Sequence, residues 1–135
     1  LRMAQHCKNA QRIAEFLNAD SRVAWVHYCG LENDRNHELA KKYMPNGSCG
    51  VIAFGLKGDR ETAIKWMDSL ELINIVTHVA DCRSCVLHPA SHTHRQLSDE
   101  QLREAGIAPD LIRLSVGIED SEDILDDIKQ ALDKI

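Results

Sequence analysis

Leu111-Ile112-Arg113-Leu114-Ser115-Val116-Gly117-Ile118 alternates strictly, the period of a strand with one buried face. Ile112, Leu114, Val116 and Ile118 form the side predicted to lie on a core. Arg113, Ser115 and Gly117 form the other side: one long cation, one small hydroxyl and one residue with no side chain. That pattern leaves an open space in front of a fixed guanidinium, and its planar fork of donors suits a carboxylate or a phosphate. An arginine on the solvated face of a half-exposed sheet fits the same pattern.

The flanking segments supply the layers for this strand. Pro109 precedes it. After it a helix is predicted from Asp120 or Ser121, with acids in its first turn and an apolar stripe of Ile124, Leu125, Ile128, Ala131, Leu132 and Ile135. Upstream, Ser98-Asp99-Glu100-Gln101 reads as a capping box opening a short helix that Gly106 closes. Ser84–Leu87 reads as a short strand stopped by His88-Pro89, and part of Ile73–Ala80 as another. Gly50–Leu56 is a nearly unbroken apolar run, hence a central strand. Asp59 can cap the helix after it, Arg60–Leu72, which is predicted to bury Ala63, Ile64, Met67 and Leu70. Gly55-x-x-Gly58 ahead of that helix is a candidate phosphate cradle, although it lacks the fuller P-loop and dinucleotide patterns.

Nearer the start, Val23–Tyr28 is β-branched and aromatic, so it is a strand. Asn36–Met44 reads as a short helix with Leu39, Ala40 and Tyr43 on one side. Leu1–Asn18 reads as a helix with Met3, Cys7, Ala10, Ala14 and Leu17 on one face. It starts uncapped, which leads to the expectation of an excised domain with something before it. The order predicts an α/β (α+β) two-layer sandwich in one domain, residues 1–135. It has a mixed, mostly antiparallel sheet of four to five strands, with helices packed on one face and Arg113 on the uncovered face.

A chain of 135 residues, 44% apolar, can bury a modest core and is not expected to be disordered. Aromatics are 4%, so aliphatic packing must carry that core. A net charge of −5 without a basic run argues against nucleic-acid or membrane-surface partners. The apolar runs are too short to span a bilayer. Five scattered cysteines suggest a reduced, cytoplasmic setting.

Cys82-x-x-Cys85-x-x-His88-x-x-x-His92-x-His94 is dense with zinc-type ligands. Against a zinc site, all candidates fall within thirteen residues and straddle a strand, whereas structural sites usually join two separated knuckles. A thioredoxin-like redox pair would sit at a helix N-terminus, and this pair leads into Val86-Leu87. The simpler reading makes Cys85 a small core residue, Cys82 a loop residue, and His88, His92, Thr93 and His94 hydrogen-bonding loop residues.

Two passages together carry a resemblance: Ser84-Cys85-Val86-Leu87-His88-Pro89-Ala90-Ser91-His92-Thr93-His94-Arg95-Gln96-Leu97, and Ile107 through Asp120 around the Arg113 strand. With Leu1-Arg2-Met3, His6, Asn9-Ala10, Ala24-Trp25-Val26, His37-Glu38-Leu39-Ala40 and Phe54-Gly55-Leu56-Lys57, the chain resembles the C-terminal domain of the Cys/Met-metabolism pyridoxal-phosphate enzymes. This is the cystathionine γ-synthase and γ-lyase family, and the likeness is nearest to its O-acetylhomoserine sulfhydrylases. The resemblance implies a fold-type I enzyme whose C-terminal domain lends Arg113 to the substrate α-carboxylate, with Thr93 near it. His78 stands where a serine or asparagine usually completes the pocket, and Ala80 where glycine is usual. Cys82, Cys85 and His92 are also atypical of that family.

These enzymes hold pyridoxal phosphate through a lysine after a Ser-x-Thr pattern, and none of Lys8, Lys41, Lys42, Lys57, Lys65, Lys129 or Lys134 has that context. The resemblance therefore implies that the cofactor is bound by an N-terminal domain, the partner of this one in a homotetrameric enzyme. Alone, the chain is expected to be inactive and to contain no catalytic residue. The implied reaction is γ-replacement on O-acetylhomoserine by sulfide, giving homocysteine and acetate, in methionine and cysteine biosynthesis. Cystathionine γ-synthase, γ-lyase and methionine γ-lyase activities are alternatives. A non-enzymatic amino-acid-binding regulatory module and a zinc-stabilised interaction module are readings of another class.

Overall fold

The computed structural model describes residues 1–135. In chain order the elements are α1 (Arg2–Ala19), β1 (Val23–His27), α2 (His37–Tyr43), β2 (Val51–Leu56), α3 (Arg60–Asp68), β3 (Asn74–Ile75), β4 (Cys85–Leu87), α4 (Asp99–Glu104), β5 (Leu111–Ser115) and α5 (Ser121–Leu132). The five strands form one sheet in the order β1-β2-β5-β4-β3. Every pairing is antiparallel except that of β3 with β4. The α/β two-layer sandwich with a mixed sheet therefore stands, and β5 is its middle strand.

Period-2 alternation builds the core. Ile112, Leu114 and Val116 join Ile52, Phe54, Leu56 and Val86 on one side of the sheet, where α1, α3 and α5 bury their apolar stripes. The Phe54 and Trp66 rings meet edge to face at 5.4 Å, a favoured aromatic geometry. Both capping predictions hold: Asp59 accepts from the Thr62 amide at 3.0 Å and Ser98 from the Gln101 amide at 3.3 Å. Gly106, at φ +76°, ends α4.

Several expectations change. Ile118 is exposed, because β5 ends at Ser115. There the chain turns so that Gly117 lies directly on the Cys82–Arg83 backbone. Met3, Leu39 and Tyr43 are exposed, since α2 and the first turn of α1 have nothing apolar to cover those side chains. Helix α3 ends at Asp68; Ala63 and Met67 are buried as expected and Trp66 is buried with them, while Ile64 and, past the helix end, Leu70 are half-buried.

The Gly55–Gly58 pair is no phosphate cradle. A Cβ on Gly55 would run into Trp25 and Asp110, and one on Gly58 into Thr62, so the room these glycines leave is already filled by side chains.

Buried polar residues tie the layers together. His6 Nδ1–H donates to the Val116 carbonyl at 2.7 Å. Asn9 Nδ2 donates to the Gly117 and Glu119 carbonyls at 3.1 and 2.8 Å. Helix α1 thus fixes the chain just beyond the Arg113 strand.

Candidate functional site

Arg113 lies at the centre of the sheet, between Ala53 of β2 and Leu87 of β4, on the side away from α1, α3 and α5. That side is not bare. Trp25 lies over Gly55 with its indole N–H on Asp110 at 3.2 Å, and Ser115, Cys85 and Leu87 are buried. In this partly walled setting Arg113 Nη2 donates to the Thr77 carbonyl at 2.9 Å, and Nε is buried without a partner.

No carboxylate reaches it. Of the three half-buried arginines, Arg22 holds Asp20 and Asp133, Arg60 holds Asp99, and Arg113 holds no anion. A partly desolvated guanidinium with an unpaired N–H is an incomplete anion site, because buried donors and charges are normally satisfied.

The other predicted site residues are near it to different degrees. His78 follows Thr77 in the chain and is therefore beside the carbonyl that holds Arg113. Its imidazole is exposed, 3.6 Å from Asp81. The Asp81 carboxyl is held below its usual range by the Arg83 amide, then by the charges of Arg83 and His78. Thr93 belongs to the turns between His88 and Leu97 that follow β4, and its exposed hydroxyl shares a 2.9 Å hydrogen bond with His94 Nδ1. No hydrogen bond joins the His78 or Thr93 side chain to Arg113.

The remaining polar candidates are structural. His88 is fully buried. Its Nε2–H donates to the Pro109 carbonyl at 2.8 Å, so Nδ1 accepts from the Ser91 hydroxyl at 2.8 Å. Burial pushes its pKa below the ordinary value. The turns carrying Thr93 are thereby pinned to the segment that leads into β5. Cys85 is buried with its thiol on the Arg83 carbonyl at 3.3 Å, whereas Cys82 is exposed. No three His, Cys, Asp or Glu side chains converge in a metal-binding arrangement, because the strand and turns separate the five ligand-type residues.

Sequence reasoning missed the tether beside Arg113. The Ser115 hydroxyl accepts from the Ala80 amide at 3.0 Å, and Ala80 has φ +59°. The signal was present in the small hydroxyl two residues from Arg113 and the non-glycine at position 80.

Pyridoxal phosphate does not fit this chain's residues. A covalent link to an aldehyde cofactor needs a lysine amine made available by desolvation or a neighbouring cation. Six of the seven lysines are exposed. Lys129, the half-buried one, faces Asp126 at 3.4 Å and lies over the Phe16 ring. The largest clefts, about 500 and 460 Å³, run beside α1 and contain neither Arg113, His78 nor Thr93. The Arg113 face is a shelf rather than an enclosed pocket.

A model of the family described as Cys/Met metabolism PLP-dependent enzyme matches residues 1–133. The chain is 43% identical over 136 residues to an O-acetyl-L-homoserine sulfhydrylase of Leptospira meyeri, covering all of this chain and 31% of that protein. It is 44% identical over 133 residues to a homocysteine synthase of Schizosaccharomyces pombe, covering 98% and 31%. It is 42% identical over 135 residues to an L-methionine gamma-lyase of Fusobacterium nucleatum, covering 100% and 34%. A crystal structure from Campylobacter jejuni, assigned as an O-acetylhomoserine (thiol)-lyase and carrying N'-pyridoxyl-lysine-5'-monophosphate, superposes with a TM-score of 0.91 at 40% identity. That match covers 98% of this chain and 31% of the other. The chain thus spans about a third of the length of these relatives.

Proposed function

The chain belongs to the Cys/Met metabolism PLP-dependent enzyme family, and from that premise we propose that it is the C-terminal, substrate-carboxylate-binding domain of an O-acetylhomoserine sulfhydrylase. The observation that carries this is Arg113, half-buried on the sheet face, oriented by the Thr77 carbonyl, with its Nε unpaired and no acid in reach. A substrate carboxylate would supply the missing anion and be held in a fork–fork pair.

In this reading the whole enzyme replaces the acetyl ester of O-acetylhomoserine by sulfide, releasing acetate and giving homocysteine. Pyridoxal phosphate supplies the electron sink and is bound by an N-terminal domain outside these 135 residues. The whole enzyme is a homotetramer, and this domain alone has no activity. Arg113 fixes the amino-acid end of the substrate, so that its Cα–H points in one direction. His78 and Thr93 line the approach to the same carboxylate. An L-methionine gamma-lyase stands among the relatives, and γ-elimination would use the same grip, so product analysis with and without sulfide separates the two reactions.

The test is Arg113→Ala in the enzyme that carries this chain. Truncating one partner of a buried ion pair costs about 2–5 kcal/mol. kcat/KM for O-acetylhomoserine should fall by at least roughly thirtyfold. Arg113→Lys, which keeps the charge and loses the fork, should lie between. A kcat/KM near that of the wild type would remove Arg113 from the site.

A further inference from the structure

The Ser115 hydroxyl lies two residues from Arg113 on the same side of β5 and is itself buried, at 2% exposure. Both side chains reach one short segment. Ser115 Oγ accepts from the Ala80 amide at 3.0 Å, and Arg113 Nη2 donates to the Thr77 carbonyl at 2.9 Å. No backbone–backbone hydrogen bond holds this segment. The last before it is Val76 N–H to the Val86 carbonyl at 3.1 Å, and the next is Ile118 N–H to the Cys82 carbonyl at 2.9 Å. Packing does not hold it either, since Thr77, His78, Val79 and Ala80 are all exposed. Ala80 moreover has φ +59°, a region that a residue with a Cβ avoids unless something keeps it there.

We propose that Ser115 is a positioning residue for the carboxylate site: its hydroxyl holds the Ala80 amide, keeps the 77–80 segment in place, and so fixes the Thr77 carbonyl that aims Arg113. The proposal rests on the reading of Arg113 as the carboxylate grip. Without the Ser115 hydroxyl, Ala80 relaxes out of the left-handed region and the Thr77 carbonyl shifts. Arg113, whose Nε has no partner, then loses its one fixed hydrogen bond. The guanidinium must then be ordered by the substrate itself, which weakens binding.

The test uses the whole enzyme with O-acetyl-L-homoserine and sulfide. Ser115→Ala is expected to raise KM for O-acetylhomoserine about tenfold, the loss of one well-placed hydrogen bond, with KM for sulfide unchanged. Ala80→Pro removes the same donor from the exposed side and, with its φ locked near −65°, also bars the left-handed conformation, so it should raise KM for O-acetylhomoserine at least as much. Ala80→Gly in the Ser115→Ala background should recover part of it, because glycine adopts the left-handed conformation without strain. In an Arg113→Ala background, Ser115→Ala should change kcat/KM by less than twofold, since the group it acts through is gone. A full tenfold effect in that background, or an unchanged KM in both Ser115→Ala and Ala80→Pro, overturns the positioning role. If Arg113→Ala leaves kcat/KM intact, the carboxylate reading itself fails, and this proposal fails with it.

Discussion

Asp127 is an acid in the middle of α5, buried at 6% exposure, and its removal should damage the fold. Its carboxylate accepts from three successive amides, Glu71 at 2.8 Å, Leu72 at 3.0 Å and Ile73 at 2.8 Å, and also from Gln130 Nε2 at 3.0 Å. These bonds join α5 to the segment entering β3, which leads on to Thr77. In Asp127→Ala the Glu71 and Leu72 amides, on exposed residues, can turn to water, so each loses roughly 0.5 kcal/mol. Ile73 is 3% exposed, and its stranded N–H costs about 2–3 kcal/mol. The sum is about 3–4 kcal/mol, a urea midpoint lowered by roughly 2 M at unchanged slope. Asp127→Asn keeps one acceptor oxygen and should lose about half as much. Trp66, fully buried beneath the sheet, is a suitable fluorescence probe of unfolding. Losses below about 1 kcal/mol in both variants would mean that the three amides are satisfied without the carboxylate.

Three further outcomes are expected. Gly117→Ala places a Cβ against Glu119 Oε2 and the Cys82 carbonyl, and 2.6 Å from the Arg83 carbonyl carbon. Backbone cannot yield as a side chain can, so denaturation should show a loss of about 2–4 kcal/mol, and a loss under 1 kcal/mol would contradict the packing. The His88 pKa lies below 6.5 because of burial, so the unfolded chain takes up a proton that the folded one refuses. Stability should therefore fall as pH drops through 6.5, and more steeply than in His88→Gln; equal slopes would exclude His88 as the source. Burial raises the Cys49 and Cys85 thiol pKa values, while Cys82 is exposed. Alkylation at neutral pH, followed by mass spectrometry, should label Cys82 first; prior labelling of Cys85 would show that its strand opens.

The β5 alternation was readable because a period of two needs only local sequence, and it correctly placed Arg113 opposite the core face. It failed at Ile118, where the close approach of Gly117 to Cys82 and Arg83 depends on residues more than thirty positions away. Met3, Leu39 and Tyr43 show a second limit: periodicity tells which side of a helix is apolar, not whether anything covers it. Asp127 reads locally as one more acid beside Asp123 and Asp126, since its partners lie 54–56 residues upstream. The same holds for the site. The place of Arg113 among small neighbours on the sheet face was legible, but the Ser115–Ala80 tether spans 35 residues and needs the folded sheet to appear. The metal-like spacing around Cys85 and His88 brings no ligand set together, because a strand and tight turns keep those side chains apart.

Carboxylate recognition by Arg113, as proposed above, is read from the ratio of kcat/KM for O-acetylhomoserine to that for its carboxamide, in the whole enzyme and in Arg113→Ala. The wild type should prefer the acid by at least roughly thirtyfold, the lower end of a truncated ion pair, and the variant should show almost no preference. A preference that survives the loss of Arg113 would place the carboxylate on another group and contradict the account.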